Sequence, residues 1–570
     1  MKGAGVSLTT PAPKIGLRLN LSRDDLLMRG GLVALAGVLL LIVGLPLWAL
    51  LAKGFQDGDG RYVGLANYVS YFSTPALFNS ALNSLHVAAV CTAIVVPVAF
   101  LYAYALTRAV LPAKWLFQGI SLIPIFAPSL LPGLALVYLF GNQGFFKGLI
   151  GGSIYGFDGI VIAQVFYCLP HAIMILVTAL STADARLYEA ADALGASKLR
   201  VFFTVTLPGA KYGLISAALV VFTLVITDFG IAKVIGGNFN VLATDVYKQV
   251  IGQQNFSMGA VVGMVLLAPA ALAFVVDHLV QRKQVALLTA RAVPLVARPK
   301  FGRDLFFTAF CTLVSAGILA ILGMAAWGSL ITYWPYNLSL TLANYEFANF
   351  DSSGWESYFN SLRMAAGAAI VGTALMFVGA WLNEKTKGFG VVRSAVQLLA
   401  FLPMAVPGIV LGLGYIFFFN APDNPLNFLY ATMAILVINT VAHFYTVGHL
   451  TATTALKQID PEFESVSASL KVPIWKTFGR VTAPICLPAI LDIAIYLFVN
   501  AMTTVSSVIF LYAPDTKLAS VAAVNIEETG ATAAAAALCL VIVATSATVK
   551  ALHLLADRFL LGRLQAWRRR

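Results

Sequence analysis

Residues 189–208 read EAADALGASKLRVFFTVTLP, a polar, helix-forming stretch set between two long apolar segments. Glu189 to Leu194 are good helix formers. Gly195 can take the left-handed conformation that ends a helix, and Ser197 can cap the next one. Pro208 marks the entry to the following apolar segment. The spacing predicts two short helices with a bend. Such a pair is too short to be a domain, and it is shaped to press into a groove on a partner.

The surrounding chain is apolar. Of its 570 residues, 59% are hydrophobic and 11% charged, against about 25% charge in soluble domains, and the mean hydropathy is +0.86. Runs of roughly 20 apolar residues can each cross a bilayer. They fall near 30–52, 82–107, 115–140, 158–180, 212–235, 257–280, 305–332, 361–383, 393–419, 428–450, 487–511 and 532–556. The first is too long for a signal-peptide core and reads as a signal-anchor span. The expected fold is therefore an all-α polytopic membrane protein with about twelve transmembrane helices.

The net charge of +12 could point to nucleic acid, but its placement argues for a topology signal. With both ends cytoplasmic, 30 of the 37 Lys and Arg residues fall on the inner side, the exceptions being Lys53, Arg61, Lys147, Lys233, Lys248, Arg363 and Lys517. That is the positive-inside bias. Arg568-Arg569-Arg570 then read as an anchor at the lipid surface. No nucleic-acid partner is expected.

Short strings recur at a nearly constant offset. Leu65-Ala66-Asn67-Tyr68 returns as Leu342-Ala343-Asn344-Tyr345 and Asn83-Ser84-Leu85 as Asn360-Ser361-Leu362, both 277 residues on; Thr178-Ala179-Leu180 returns as Thr454-Ala455-Leu456, 276 on. Six spans per half return the chain to its starting side, so the repeats are parallel. The expected organisation is an N-terminal arm at 1–28, a first domain at 29–280, a basic Pro-containing linker at 281–303, a second domain at 304–557 and a basic tail at 558–570.

The pattern Glu189-Ala190-Ala191, Gly195 and Pro208 resembles the EAA loop of the inner-membrane permeases of binding-protein-dependent ABC importers. The resemblance implies a permease with two fused domains in a bacterial inner membrane. It implies a separate ATP-binding subunit, in two copies, docking on the loops at 181–208 and 457–484, and a periplasmic binding protein that delivers substrate. ATP and Mg would be used by the partner ATPase, with no cofactor and no metal in this chain. The second loop is degenerate: Glu464 lies one residue early, Lys471 stands where Gly195 does, Pro473 meets Ser197, and Pro484 matches Pro208. Asp460-Pro461 can start its first helix and Pro473 its second. A left-handed Lys471 would cost about 1 kcal/mol, so unequal coupling is expected.

No catalytic constellation stands out. Gly379-Ala380-Trp381-Leu382-Asn383-Glu384-Lys385-Thr386 approximates a phosphate-binding loop, but Glu384 stands where the motif needs Gly. Cys91, Cys168, Cys311, Cys486 and Cys539 form no CxxC pair and read as packing residues. His86, His171, His443 and His449 are not spaced for a shared metal and read as hydrogen-bonded packing residues. The most informative intramembrane segment is Thr227-Asp228-Phe229-Gly230-Ile231-Ala232-Lys233. Ionisable groups there either face a pathway or pair locally, so Asp228 and Lys233 are read either as substrate contacts or as an interfacial pair. The matching place in the second half, Thr503-Thr504-Val505-Ser506-Ser507, offers only hydroxyls. Pro124, Pro128, Pro132, Gly133, Pro403, Pro407 and Gly408 interrupt two spans, as happens where backbone lines a cavity or meets neighbouring helices.

Residues 236–247 resemble the outer gate loop of iron, polyamine and phosphonate permeases of this kind. The stretches 247–256 and 510–520 look most like 2-aminoethylphosphonate permeases, which makes an organophosphonate the expected substrate. Ferric iron, thiamine and polyamines are the alternatives. A secondary transporter with parallel halves would show more charged groups deep in its spans, and a membrane enzyme would need His, Asp or Glu clustered at one depth.

Overall fold

In hydrocarbon every backbone N–H and C=O needs an internal partner, so apolar runs of this length fold as helices. The computed structural model describes residues 23–149, 151–285, 293, 295–460 and 462–558. The expected N-terminal arm before residue 23, the linker at 286–292 and 294, and the tail from 559 lie outside the described residues.

Eight described helices are long and apolar enough to cross a membrane: Arg23–Lys53, Pro75–Arg108, Phe157–Ser181, Lys198–Thr227, Phe256–Val280, Phe301–Ser329, Glu356–Lys385 and Thr532–Ala556. Four bent pairs complete the set. Lys114–Phe126 meets Leu130–Phe140 at 102°, and Gly390–Ala405 meets Gly408–Phe419 at 117°. Met433–His443 meets Tyr445–Lys457 at 57°, and Ile474–Ile485 meets Leu487–Thr503 at 74°. With each pair counted as one crossing, twelve spans result, numbered below in chain order.

The two sharpest bends fall beside Pro128 and Pro407, in the third and ninth spans. Proline removes a backbone donor and clashes with the preceding turn. Among the described residues the only strands form a small antiparallel hairpin, Ile331–Tyr333 with Asn337–Leu340, after the seventh span.

The repeated strings have matching structural roles. The Asn67 side-chain amide donates to the carbonyls of Gly54 and Gln56 at 3.1 and 2.8 Å; that of Asn344 donates to those of Ser329 and Ile331 at 3.0 and 2.8 Å. Each amide closes the exit from the first span of its half.

Those first spans are exchanged between the halves. Tyr415, in the ninth span, donates its hydroxyl to the carbonyl of Ile42 in the first span at 2.7 Å. A Cβ on Gly414 would lie 2.6 Å from the carbonyl oxygen of Pro46, so the two helices touch backbone to backbone. Reciprocally, Tyr102 in the second span meets Ser315 of the seventh at 3.1 Å. All five cysteines are buried, and none is joined in a disulfide.

Two expectations about the central stretch need correction. The second short helix is not separate: Lys198–Thr227 runs through one wide π turn at 202–206 directly into the fifth span. A matching π turn occupies 478–482. The fifth span also ends at Thr227 rather than 235, where Asp228 and Phe229 break the helix before Gly230–Ile235. Its partner, the eleventh, ends at Thr503 rather than 511.

Candidate functional site

The two polar loops form one candidate surface. In the first, the Asp184 carboxylate accepts the Arg186 N–H at 3.1 Å and starts the helix Ala185–Ala193. Gly195 ends it with φ +68°. Its N–H reaches the Asp192 carbonyl, and the Ala196 N–H reaches that of Ala191, both at 3.0 Å. In the second loop Lys471 has φ +55°. Its N–H reaches Ala468 at 3.1 Å, and the Val472 N–H reaches Ser467 at 3.0 Å. This is the same two-bond helix ending at an offset of 276, so the bend survives without glycine, as expected. No heavy atom would lie within 4 Å of a Cβ at Gly195, so conformation rather than space favours glycine there.

Both loops present apolar side chains outward. Leu187, Leu194, Leu199 and Phe203 are exposed in the first, Leu194 at 86%; Phe463, Val466, Leu470 and Trp475 are exposed in the second. Glu189 and Ala190 are exposed beside them, and Ala191 is half-buried. Pro208 and Pro484 each take the second position of the helical segment that follows the π turn.

A cation at the end of the second span of each half, Arg108 of the second and Lys385 of the eighth, ties down the loop of that half. Arg108 donates to the Leu180 carbonyl at 2.8 Å and lies over the Tyr188 ring at 5.4 Å. Lys385, 277 residues on, pairs with Glu464 at 2.5 Å. Glu464 is therefore half-engaged by its own chain, unlike Glu189.

The second candidate is a cavity of about 450 Å³ between the halves. Thr227, Asp228, Thr503, Thr504 and Ser506 all line it, as do Ser129 at the break of the third span and Val406 and Pro407 at that of the ninth. Two close contacts shape its wall. A Cβ on Gly230 would meet the Ser129 hydroxyl at 2.3 Å, and one on Gly408 would meet that of Ser506 at 2.7 Å. Each half thus fits a hydroxyl against a glycine, with the partners exchanged. The Asp228 carboxylate accepts from the Gln164 amide at 3.0 Å and from the Ile231 N–H at 2.9 Å. It splints the helix break while facing the cavity.

Lys233 does not line this cavity. It reaches Glu528 of the second half at 2.5 Å and lies 4.8 Å from the Tyr247 ring centre. Tyr247 in turn stacks on Phe510 of the second half at 6.2 Å. Lys233 is thus neither free for an anion nor paired with Asp228; it forms part of a contact between the halves.

Sequence reasoning missed His171, His443, Tyr167, Tyr496 and Asn500 in the cavity lining. The buried Nδ1 atoms of His443 and His449 meet no hydrogen-bond partner, whereas His171 has a backbone hydrogen bond at Tyr167. His86 stacks on Phe157 at 4.7 Å. Four-residue spacing from Tyr167 to His171 was the one available signal for that pair, since it sets both on one helix face. Among the described residues no group of three or more His, Cys, Asp or Glu could hold a metal ion.

The family described as binding-protein-dependent transport system inner membrane component matches residues 95–285 and 376–560. A relative from Haemophilus influenzae whose name assigns it to a ferric transport system, FbpB 1, is 27% identical over 88% of this chain and 80% of its own length. The ferric transport system permease protein FbpB of Actinobacillus pleuropneumoniae is 26% identical over 92% and 77%. The molybdenum transport system permease protein ModB of Escherichia coli is 30% identical over 27% of this chain and 69% of its own length.

Proposed function

The chain belongs to the family of binding-protein-dependent transport system inner membrane components, and we propose that it is a permease of an ATP-driven ferric importer with two fused permease domains. It is a multi-pass inner-membrane permease with two repeats, each matching the family. On our reading the permease domains are 29–280 and 304–557, both termini are cytoplasmic, and two copies of an ATPase subunit dock on the loops at 181–208 and 457–484. ATP and Mg act in that partner, and a periplasmic binding protein loads the outer face.

The observation that carries this reading is the pair of matched loop endings at Gly195 and Lys471, each beside exposed Leu and aromatic side chains. An apolar helix face at the end of a polar loop is the chemistry of helix-in-groove docking. Driving the two loops together or apart would act on the fifth and eleventh spans that continue from them. Those spans end at Thr227 and Thr503, in the cavity wall. The path for substrate would then run past Thr227, Asp228, Thr503, Thr504 and Ser506.

For the substrate, relatives that align over most of both chains, FbpB 1 of Haemophilus influenzae and FbpB of Actinobacillus pleuropneumoniae among them, are named for ferric transport, which supports iron over the expected organophosphonate. The two stretches behind the phosphonate expectation have packing roles here. Tyr247 and Phe510 stack across the halves, Lys517 pairs with Asp351 at 2.9 Å, and Ser520 donates to the Thr504 carbonyl.

The test is uptake of radiolabelled ferric iron by cells with and without this chain, with ATPase and binding protein present in both. Chain-dependent uptake that excess 2-aminoethylphosphonate and putrescine leave unchanged is the expected result. Uptake of labelled 2-aminoethylphosphonate instead would return the substrate to the phosphonate class.

A further inference from the structure

We propose that Asp24, on the first turn of the first span, is the positioning residue of the second coupling loop, supplying from afar the helix cap that the loop itself lacks. This rests on the coupling role given to the loops above. In the first loop Ser197 caps its own helix, its hydroxyl accepting the Arg200 N–H at 3.3 Å. At the matching place stands Pro473, whose side chain has no acceptor. The first donor of that helix, the Ile474 N–H, is taken instead by the Asp24 carboxylate at 3.0 Å, across 450 residues of sequence. A carboxylate at a helix N-terminus gains both from the hydrogen bond and from the helix dipole.

Asp24 is held in place by its own helix. Met28 is buried, and a Cβ on Gly31 would touch the Leu382 side chain at 3.1 Å. Arg29 lies over the Phe389 ring at 5.6 Å. The first span therefore runs along the cytoplasmic ends of the eighth and ninth before Tyr415 grips it at Ile42. Two further ties, Lys385 to Glu464 and Lys457 to Glu384, fasten the same corner. The two loops thus differ in kind. The first carries its own cap; the second is capped by the N-terminal span, and movement of either must be answered by the other.

The test compares Asp24→Ala, Asp24→Asn and the double variant Asp24→Ala/Pro473→Ser with the natural chain. In the purified permease alone, hydrogen exchange of the 474–477 amides should quicken about fivefold in Asp24→Ala, the ratio expected for one lost N-cap. It should stay near the natural rate in Asp24→Asn, which keeps an acceptor, and return in the double variant, whose serine restores the local cap. In proteoliposomes with ATPase and iron-loaded binding protein, iron moved per ATP hydrolysed should follow the same order. Unchanged exchange in Asp24→Ala, or a double variant as fast as the single one, overturns the cap. Restored exchange without any change in iron moved per ATP overturns the positioning role. A natural chain that binds no ATPase would sink the importer reading and leave the exchange result standing.

Discussion

The Ser84 and Ser361 hydroxyls hold equivalent positions in the two halves: Ser84 accepts the N–H of Leu242 at 2.8 Å, and Ser361 accepts that of Ala519, also at 2.8 Å. Both bonds span 158 residues, and both start a short buried helix, Leu242–Tyr247 after the fifth span and Ala519–Glu528 after the eleventh. Neighbouring amides repeat the pairing, Asn83 to the Asn240 carbonyl and Asn360 to that of Asp515.

Ser84→Ala and Ser361→Ala should each leave a buried N–H without a partner, at a cost of about 1–3 kcal/mol. Thermal unfolding in detergent should show similar decreases in midpoint for the two variants. A silent Ser361→Ala beside a damaging Ser84→Ala would refute the equivalence.

Gly195→Lys should insert normally, since nothing crowds the position and Lys471 already adopts the same backbone at about 1 kcal/mol. Uptake per inserted molecule should nonetheless be lost, because the new side chain stands beside exposed Leu194. Gly195→Asn, which tolerates the left-handed region, should retain uptake. Natural uptake in Gly195→Lys would remove the docking role of the first loop.

Asp228 can be divided into two roles by two variants. Asp228→Ala removes the acceptor shared by Gln164 and Ile231, and its level in the membrane should fall. Asp228→Asn keeps an acceptor, so its level should hold while iron uptake at a given concentration of loaded binding protein drops. Unchanged uptake in Asp228→Asn would leave Asp228 as the splint of the helix break alone.

Lys233→Gln should loosen the contact between the halves and raise ATP hydrolysis without binding protein by about two- to fivefold, the range for a partly exposed ion pair. Exchanging the charges in Lys233→Glu/Glu528→Lys should restore the low rate. An ATPase rate unaffected by Lys233→Gln would show that the pair does not restrain this contact.

The same contact should respond to pH. Glu527, between the eleventh and twelfth spans, has its carboxyl pushed up to about 7, chiefly by burial; Lys233 opposes the rise and Glu528 adds to it. A carboxyl whose pKa is raised by folding favours the folded state when protonated. Its contribution is full below the unfolded value of about 4.3 and is lost as pH climbs through about 7. The thermal midpoint should therefore fall between pH 6 and pH 8, and Glu527→Gln should flatten that fall. An equal fall in the variant would assign it to another group.

Much of this architecture was legible because it is local or repeated. Apolar runs marked the spans, and the strings around Asn67 and Ser84 marked the halves because those side chains close specific backbone gaps twice over. The helix ending at Gly195 was readable from one residue type, and its counterpart at Lys471 from alignment of the loops. The segment 227–233 was singled out by its charges, yet only its first four residues, Thr227 to Gly230, line the cavity, and Lys233 does not. What stayed hidden depends on distant pairing. No periodicity announces that Asp24 caps Ile474, that Lys233 meets Glu528, or that His171 and His443 share one cavity. The helix breaks at Asp228 and Thr504 were overrun because the apolar pattern continues through them.

The exchange of first spans, with Tyr415 holding Ile42 and Tyr102 meeting Ser315, bears on how the protein is made. When the first domain has left the ribosome, the helix that will cover its flank has yet to be synthesised, and its own leading helix waits for a seat in a domain still to come. Neither domain can finish alone. Fusion into one chain makes each the assembly partner of the other, and keeps the exposed flanks from meeting a stranger during that interval.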